Sequence, residues 1–383
     1  MTAANAFKEL SDDVLHLLPE VGDDFAIDNH RGLLAPLLIT RVPGTPGQIA
    51  AQRHFIDFFS QSLPKWDIGI HNITSKTPAT GDDEIPFVNL FFTRDPPWAS
   101  SSDVGRLTLV AHYDSKYTPK GFIGATDSAA PCAMLMHVAR SIDQALTDKW
   151  DAMEASGEAG MDEERGVQIL LLDGEEAWVE WTNEDSLYGS RALAEDWESE
   201  VYPAMSTFRN RLSSIDLFLL LDLLGSPNPK VPSYFLTTHW AYRNMAMLEK
   251  RLRNLGKLES TVTAPFLPEI DKATEDFKFP SGISDDHLPF MHRGVPILHI
   301  IPSDFPNVWH KIEDDGEHLD IAVCHDWAKI VTAFAIEWME LEDYIISARK
   351  GESGSSPNVR RDEGSQEGGG DVHGQYASAR SEL

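Results

Sequence analysis

The sequence predicts an α/β fold, a three-layer sandwich in which helices flank a mixed, mostly parallel central sheet. Short apolar runs alternate along the chain with amphipathic segments, and polar or glycine-containing loops separate them. Several of the runs are continuously apolar rather than alternating. Strands that helices cover on both faces have this pattern, and alternation of the two element types is typical of a largely parallel sheet.

Each element of the prediction rests on a particular segment. Strands are predicted at 88–93, 106–111, 167–173, 217–222, 233–238 and 295–301. Helices are predicted at 46–62, 129–146, 188–197, 241–255 and 325–346. The second of these helices has Pro131 in its first turn and a stripe of apolar side chains on one face, and both features favour a helix packed on a sheet.

The 383 residues divide into three predicted parts. Residues 1–30 form an N-terminal extension, 31–346 a single α/β domain, and 347–383 a disordered tail. The tail is rich in glycine and serine and nearly lacks large apolar side chains, so it cannot bury enough surface to offset its chain entropy. The acidic stretch 143–166 predicts a solvated helix end followed by a loop.

Composition excludes some classes of function. Lysine and arginine number 32 against 61 aspartates and glutamates, a formal charge of −29 that repels nucleic acids and anionic membranes. No apolar run reaches the ~20 residues of a membrane-spanning helix. The first residues lack a basic head and an apolar core, so no signal peptide is visible. Whether the two cysteines, Cys132 and Cys324, pair is left open.

Acidic and imidazole side chains follow several predicted strands. In open α/β sheets such residues meet at the carboxyl ends of the strands. The candidates are His112, Asp114, Asp127, Glu175, Glu176, Asp222, Asp285, His287 and His310. Because adjacent buried carboxylates repel, Glu175 and Glu176 require a proton or a cation, and an Asp, a Glu and a His from three strand ends would form a catalytic zinc site.

Structural roles for these residues remain open at this point. Asp127 taken alone is typical of a helix N-cap, His310 of a partly buried structural histidine, and the glutamate pair of a solvated turn. The tryptophans at 178, 181, 240 and 309 are compatible either with the core or with an apolar pocket beside a metal.

Longer motifs carry a resemblance to a known family. They are AHYDSKY (111–117), GATDSAAPCAM (124–134), DGEEAWVEW (173–181), DSLYGSR (185–191), LLLDLLGSPNP (220–229), DDHLPFMHRGVPILHIIPS (285–303) and FPNVWHKIEDD (305–315), with RVPGTPG (41–47) upstream. In order and spacing they resemble the glutaminyl-peptide cyclotransferases, or glutaminyl cyclases, from about residue 30 to about residue 345. That family has a zinc aminopeptidase-like fold.

The resemblance implies a role for each site residue. It implies one Zn²⁺ per chain, held by Asp127, Glu176 and His310. It also implies Glu175 as the proton-transfer residue, Asp222 as a second catalytic carboxylate, and Asp285 hydrogen-bonded into the same network. The walls of the substrate pocket would be Trp181, Phe305 and Trp309.

The implied activity is an acyltransfer without water. N-terminal glutamine of peptides or proteins would cyclise to pyroglutamate with release of ammonia, and we expect a monomer. The resemblance suggests a secretory or extracellular location. However, Ala111 stands where secreted animal relatives have the cysteine that pairs with the counterpart of Cys132, and Ser284 stands where they often have glutamine.

Two other functions fit parts of the same pattern. A two-zinc aminopeptidase of this fold would use His112, Asp114 and Asp222 around a second metal, and all three are present. An inactive peptide-binding protein on the same scaffold would be indicated by loss of Glu175 or of a metal ligand, and neither is lost.

Overall fold

The computed structural model describes residues 8–160, 164–277 and 283–346. The predicted tail, 347–383, lies outside these residues. The strands in the described ranges are β1 (Asp67–Lys76), β2 (Glu84–Arg94), β3 (Val104–His112), β4 (Glu164–Leu172), β5 (Ile215–Leu221) and β6 (Ile297–Ile300). The α-helices are α1 (Asp12–His16), α2 (Pro46–Ser62), α3 (Ala130–Ser156), α4 (Tyr188–Ser199), α5 (His239–Asn254), α6 (His287–Met291) and α7 (Ile321–Trp338).

The six described strands form one sheet in the order β1-β2-β4-β3-β5-β6. The pairs β4–β3, β3–β5 and β5–β6 are parallel, whereas β2 runs antiparallel to both of its neighbours. The sheet is therefore mixed and mostly parallel, as predicted.

Helices cover both faces of this sheet. Leu107, Leu109 and Ala111 of β3 pack into a large core that includes side chains of α2, α3, α5 and α7. Val110 of the same strand points the other way, into a smaller core with residues of α4 and α6. Successive residues of a strand face opposite sides of a sheet, so a centre strand covered twice buries side chains on both faces and is mostly apolar. The three-layer prediction is confirmed.

Two strand assignments differ from the prediction. Residues 233–238 are not a strand; Leu236–Thr238 forms a 3₁₀ turn that leads into α5. The aromatic residues there favour a strand, but Pro232 precedes the segment and the amide of Ser233 donates to Glu269 instead of to a neighbouring strand, at 2.9 Å. The edge strand β1 was missed because it alternates between exposed and half-buried residues and is largely polar.

The described part of the N-terminal segment packs against the main domain. Leu10, Val14 and Leu15 are buried in the large core, and the amide of Leu10 donates to Glu337 of α7 at 3.2 Å. The domain boundaries at residues 30 and 346 stay predictions. No helix in the described ranges is both long and apolar enough to cross a bilayer.

We predict that Phe59 contributes strongly to stability. It is fully buried on α2, and its ring stacks on Phe92 of β2 with centroids 3.8 Å apart. Phe59→Ala should lower the free energy of unfolding by about 3–5 kcal/mol, because a large buried side chain leaves a cavity. Phe58→Ala is the matched control, since Phe58 is only partly buried. Urea denaturation followed by circular dichroism measures both; equal losses would contradict the prediction.

Candidate metal centre and active site

The candidate site lies where β3, β4 and β5 end. A cavity of about 240 Å³ opens there and is lined by Asp127, Glu175, Trp181, Asp222, Leu223, Ile283, Ser284, Ile301, Phe305, Trp309 and His310. Seven of the nine residues predicted for the site are among these lining residues. The other two, Glu176 and Asp285, lie against the cavity residues: Glu176 beside His310, and Asp285 next to Ser284 in the chain.

Asp127, Glu176 and His310 form one potential metal-binding group, with ligand atoms within 4.8 Å of one another. Nε2 of His310 lies 3.5 Å from Oδ2 of Asp127 and 3.6 Å from Oε1 of Glu176. These two carboxylate oxygens are buried and have no hydrogen-bond partner among the described residues. Unpartnered buried carboxylate oxygens are costly, so the geometry favours a cation between the three side chains.

Electrostatics at this group suit a metal ligand set. Burial lowers the pKa of His310 to about 4, so its imidazole is neutral and has a free lone pair at neutral pH. Burial and the nearby Asp127 raise the pKa of Glu176 to about 8, and Lys116 partly opposes this with its ammonium 3.1 Å from Oε2. One imidazole and two carboxylates would hold a zinc ion with three protein ligands, the donor set that catalytic zinc sites commonly use.

Local backbone structure places the two glutamates. Gly174 follows β4 with φ +73°, and a Cβ there would lie 2.3 Å from the ring of Phe87, so only glycine fits this turn. The fully buried Asp114 then accepts the amides of Glu175 and Glu176, both at 3.2 Å. One carboxylate therefore fixes both residues, with Glu175 lining the cavity and Glu176 in the metal group.

His112 links the metal group to a second carboxylate. Its Nε2 lies 3.0 Å from Oδ1 of Asp127 and 3.5 Å from Oδ1 of Asp222, while Nδ1 lies 3.3 Å from Asp114. Burial disfavours the charged imidazole, but the three carboxylates outweigh it and raise the pKa of His112 well above its usual value. A protonated His112 therefore offsets the negative charge of Asp114, Asp127 and Asp222.

Asp222 and Asp285 occupy different environments. Asp222 accepts hydrogen bonds from the hydroxyl of Ser128 and, at 2.8 Å, from the amide of Leu223. Burial opposes ionisation of Asp222, but His112 and Ser128 outweigh it and lower the pKa. Asp285 is buried, and its Oδ2 lies 2.7 Å from Nε2 of His299. Burial raises the pKa of Asp285, although His299 opposes this.

Two further groups in the described residues could hold a metal by distance alone: His112 with Asp127 and Asp222, and Asp285 with His287 and His299. All six of these positions are buried, whereas His310 keeps 27 % of its side chain exposed. Only the Asp127–Glu176–His310 group therefore combines unpartnered carboxylate oxygens with access from solvent.

Aromatic side chains wall the cavity. The indole of Trp309 stacks on His310 with ring centroids 3.9 Å apart and meets Phe305 edge-on at 4.8 Å. On the other side Trp181 donates from its indole nitrogen to the hydroxyl of Ser284 at 3.2 Å. Of the four tryptophans left open by the sequence, 181 and 309 line the cavity, whereas 178 and 240 do not.

Sequence reasoning missed several of the residues that hold this site in place. Asp114 was predicted as a strand-end candidate and as a possible ligand of a second metal, but not as the acceptor that fixes the two glutamates; Lys116, Asp314 and Arg41 were not predicted as site residues. The signal for Lys116 was a cationic side chain within the motif AHYDSKY. Cys132 and Cys324 are both free and buried, and the thiol of Cys132 donates to the carbonyl of His112 at 3.2 Å.

Comparison with known proteins places this geometry in a family. Residues 98–335 match the family model described as peptidase family M28. The chain is 38% identical over 326 residues to the glutaminyl-peptide cyclotransferase-like protein of Bos taurus, covering 82% of this chain and 77% of that protein. It is 36% identical over 312 residues to the Bos taurus glutaminyl-peptide cyclotransferase, covering 80% and 81% respectively.

A solved structure gives the same result. The crystal structure of Macrostomum lignano glutaminyl cyclase superposes with a TM-score of 0.71 at 28% identity, covering 88% of this chain and 96% of that one. The sequence matches span four fifths of the chain, and the structural match spans most of it. The chain belongs to peptidase family M28 and, within it, to the glutaminyl-peptide cyclotransferases.

Proposed function

We propose that this protein is a zinc-dependent glutaminyl-peptide cyclotransferase, an acyltransferase that converts N-terminal glutamine of peptides or proteins to pyroglutamate and releases ammonia. One zinc ion per chain would be held by Asp127, Glu176 and His310. The observation that carries the proposal is the pair of unpartnered carboxylate oxygens facing His310 at an aromatic cavity that also presents Glu175. The monomeric state stays a prediction.

Zinc, when bound, supplies a Lewis acid that polarises the side-chain carbonyl of the substrate glutamine. The α-amine attacks that carbonyl carbon, and Glu175 accepts the proton that the attacking nitrogen loses. Glu175 then delivers the proton to the departing amide nitrogen, so that ammonia leaves as the ring closes. No water is consumed, and the protons and bonds balance.

Burial supports this role for Glu175. It raises the pKa of Glu175 well above its usual value; Asp285 and Glu176 add to the effect, and His112 opposes it. A carboxyl group with a raised pKa can both accept and return a proton near neutral pH. Asp222, whose pKa is lowered, would stay ionised and accept a hydrogen bond from the substrate amine.

The aromatic walls would determine which substrate conformation reacts. Trp181, Phe305 and Trp309 leave about 240 Å³, which suits one compact side chain rather than a whole peptide. Confining glutamine there brings the amine and its own carbonyl together, and orientation of this kind can contribute several kcal/mol. The rest of the peptide would extend past Trp181 and Trp309, each 38% exposed.

A two-zinc aminopeptidase is the second candidate, because His112, Asp127 and Asp222 lie close enough to share a metal. Their facing atoms, however, already have partners. Oδ1 of Asp127 faces His112, and Oδ1 of Asp222 accepts from Ser128 and Leu223. The unpartnered oxygens of Asp127 and Glu176, by contrast, lie on the His310 side, which favours a metal in that group rather than a second one beside His112.

The activity should be measured directly on the purified protein. We expect ammonia and pyroglutamyl peptide from a glutaminyl dipeptide, loss of both after treatment with a zinc chelator, and recovery on zinc addition. Activity should rise between about pH 6 and 8, since the attacking α-amine, with a pKa near 7.7–8.0, must be neutral. Metal analysis should give one zinc per chain.

Other outcomes of this assay identify the alternatives. Two zincs per chain with release of free amino acids from varied peptides would identify an aminopeptidase. Binding of glutaminyl peptides by the zinc-loaded protein without ammonia release would identify an inactive peptide-binding protein.

His310→Ala should weaken zinc binding, because it removes one of three proposed ligands. The loss should exceed the roughly 10- to 100-fold that removal of an outer partner of a ligand costs. His318→Ala is the matched control, since His318 is exposed and pairs only with Asp315 among the groups described. Competition with a coloured chelator measures both; an unchanged affinity for His310→Ala would remove it from the ligand set.

Glu175→Gln should keep the fold and the zinc but lower kcat by about 10²–10⁴-fold, the contribution typical of general acid–base catalysis. Glu180→Gln changes an exposed glutamate five residues away and should leave kcat unaltered. Ammonia release and zinc content should be measured on both variants. Near-normal turnover by Glu175→Gln would show that another group moves the proton.

A further inference from the structure

Asp314 lies four residues after His310 and is completely buried. We propose that Asp314 is a positioning residue that fastens the loop carrying Asp127 to the loop carrying His310, and so sets the spacing of two metal ligands. This inference rests on the proposed function, because it takes Asp127 and His310 as ligands.

The hydrogen bonds of Asp314 converge on the residues just before Asp127. Its Oδ1 accepts the amide of Thr126 at 2.8 Å, and the hydroxyl of Thr126 lies 3.0 Å from both carboxylate oxygens. The backbone carbonyl of Asp314 also accepts the amide of Ala125 at 3.1 Å. Two consecutive residues are thus held by one aspartate, leaving the next residue, Asp127, with little freedom to shift.

The same aspartate is tied to the His310 loop. Its amide donates to the carbonyl of Lys311 at 2.9 Å, which closes a tight turn over residues 311–314, directly after His310. His310 itself has φ +57°, in the left-handed region that non-glycine residues rarely adopt. Such a conformation persists only when surrounding contacts enforce it, and the turn that Asp314 closes begins at the next residue.

Arg41 holds the loop from its other side. The fully buried guanidinium donates to the carbonyls of Ile123 and Gly124, at 2.8 and 3.2 Å, and to that of Tyr113 at 2.6 Å. All three of these acceptors are backbone carbonyls of residues that precede Asp127 in the chain, and none belongs to the His310 loop. The bonds of Asp314 therefore account for the link between the two ligand loops, a role that Arg41 does not duplicate.

A buried carboxylate is a costly way to join two loops, since an apolar contact would avoid its desolvation. What a carboxylate adds is direction: two acceptor oxygens fix both an amide and a hydroxyl of Thr126. Partners behind the ligands of metal sites act in this manner, and their loss typically costs 10- to 100-fold in affinity. Asp114 holds Glu176 in the equivalent way, because its carboxylate accepts the backbone amide of Glu176 at 3.2 Å.

Three variants and one matched control test the proposal. Asp314→Ala removes every side-chain bond, Asp314→Asn keeps an acceptor for Thr126 but loses the charge, and Thr126→Val removes only the hydroxyl. Asp315→Ala is the control, because the adjacent Asp315 is partly exposed and accepts the amides of Glu317 and His318, away from both ligands. Zinc affinity is measured by chelator competition, and thermal stability on the metal-free proteins.

We expect zinc affinity about 10- to 100-fold weaker for Asp314→Ala, a smaller loss for Thr126→Val, and near-complete rescue in Asp314→Asn. Asp315→Ala should bind zinc as the wild type does. The visible spectrum of the Co²⁺-loaded protein should change in Asp314→Ala and not in Asp315→Ala, because a displaced ligand alters the coordination geometry.

Each contrary result has a distinct meaning. Asp314→Ala with a lower melting temperature but unaltered zinc affinity would make Asp314 merely structural and overturn the inference. Asparagine as weak as alanine would overturn the hydrogen-bonding role. If Asp314→Ala does not fold, the zinc affinities of Asp314→Asn and Thr126→Val still test the proposal. A wild-type protein that binds no zinc would instead refute the metal in the proposed function.

Discussion

The candidate site depends on the concentration of buried negative charge at the ends of three strands. Asp127 and Glu176 each turn one unpartnered oxygen toward His310, at 3.5 and 3.6 Å. Without a cation at these two facing oxygens the arrangement is unfavourable, because the carboxylates repel and neither oxygen is hydrogen-bonded. The neutral imidazole cannot supply that charge, since burial holds the pKa of His310 near 4. A cation satisfies all three groups at once, and the surrounding loops hold them where it would bind.

Deeper in the site, a histidine offsets the repulsion between three carboxylates. There His112 lies between Asp114, Asp127 and Asp222, and these carboxylates raise its pKa well above the usual value. A protonated imidazole takes the place that a second metal occupies in the aminopeptidase hypothesis. The two oxygens of Asp127 consequently differ: one faces a proton donor, the other faces the proposed zinc position. This asymmetry supports the proposal of one metal, although the groups Asp127–Glu176–His310 and His112–Asp127–Asp222 each bring three possible ligands together.

Sequence reasoning predicted the parts of the structure that depend on local pattern. The buried strands β3, β4 and β5 are rich in apolar residues, and polar residues that follow each strand end do gather around one cavity. It failed where neighbours decide: 233–238 has strand-forming residues but bonds to side chains instead of to a strand. It also could not identify the contact between Asp314 and Thr126, which are 188 residues apart. Nothing local in either segment specifies that pairing.

The adjacent residues Glu175 and Glu176 have different surroundings because a single carboxylate fixes their backbone. Asp114 accepts both amides, so Glu175 and Glu176 cannot exchange places by a small rotation of the loop. One side chain then joins the metal group while the other lines the cavity, where burial keeps its pKa high. If both were metal ligands, Glu175 would not be available as a proton acceptor at the cavity; if neither were, the unpartnered oxygen of Glu176 would face no cation. The different positions of the proposed ligand and the proposed proton carrier thus follow from the turn at Gly174 and the position of Asp114.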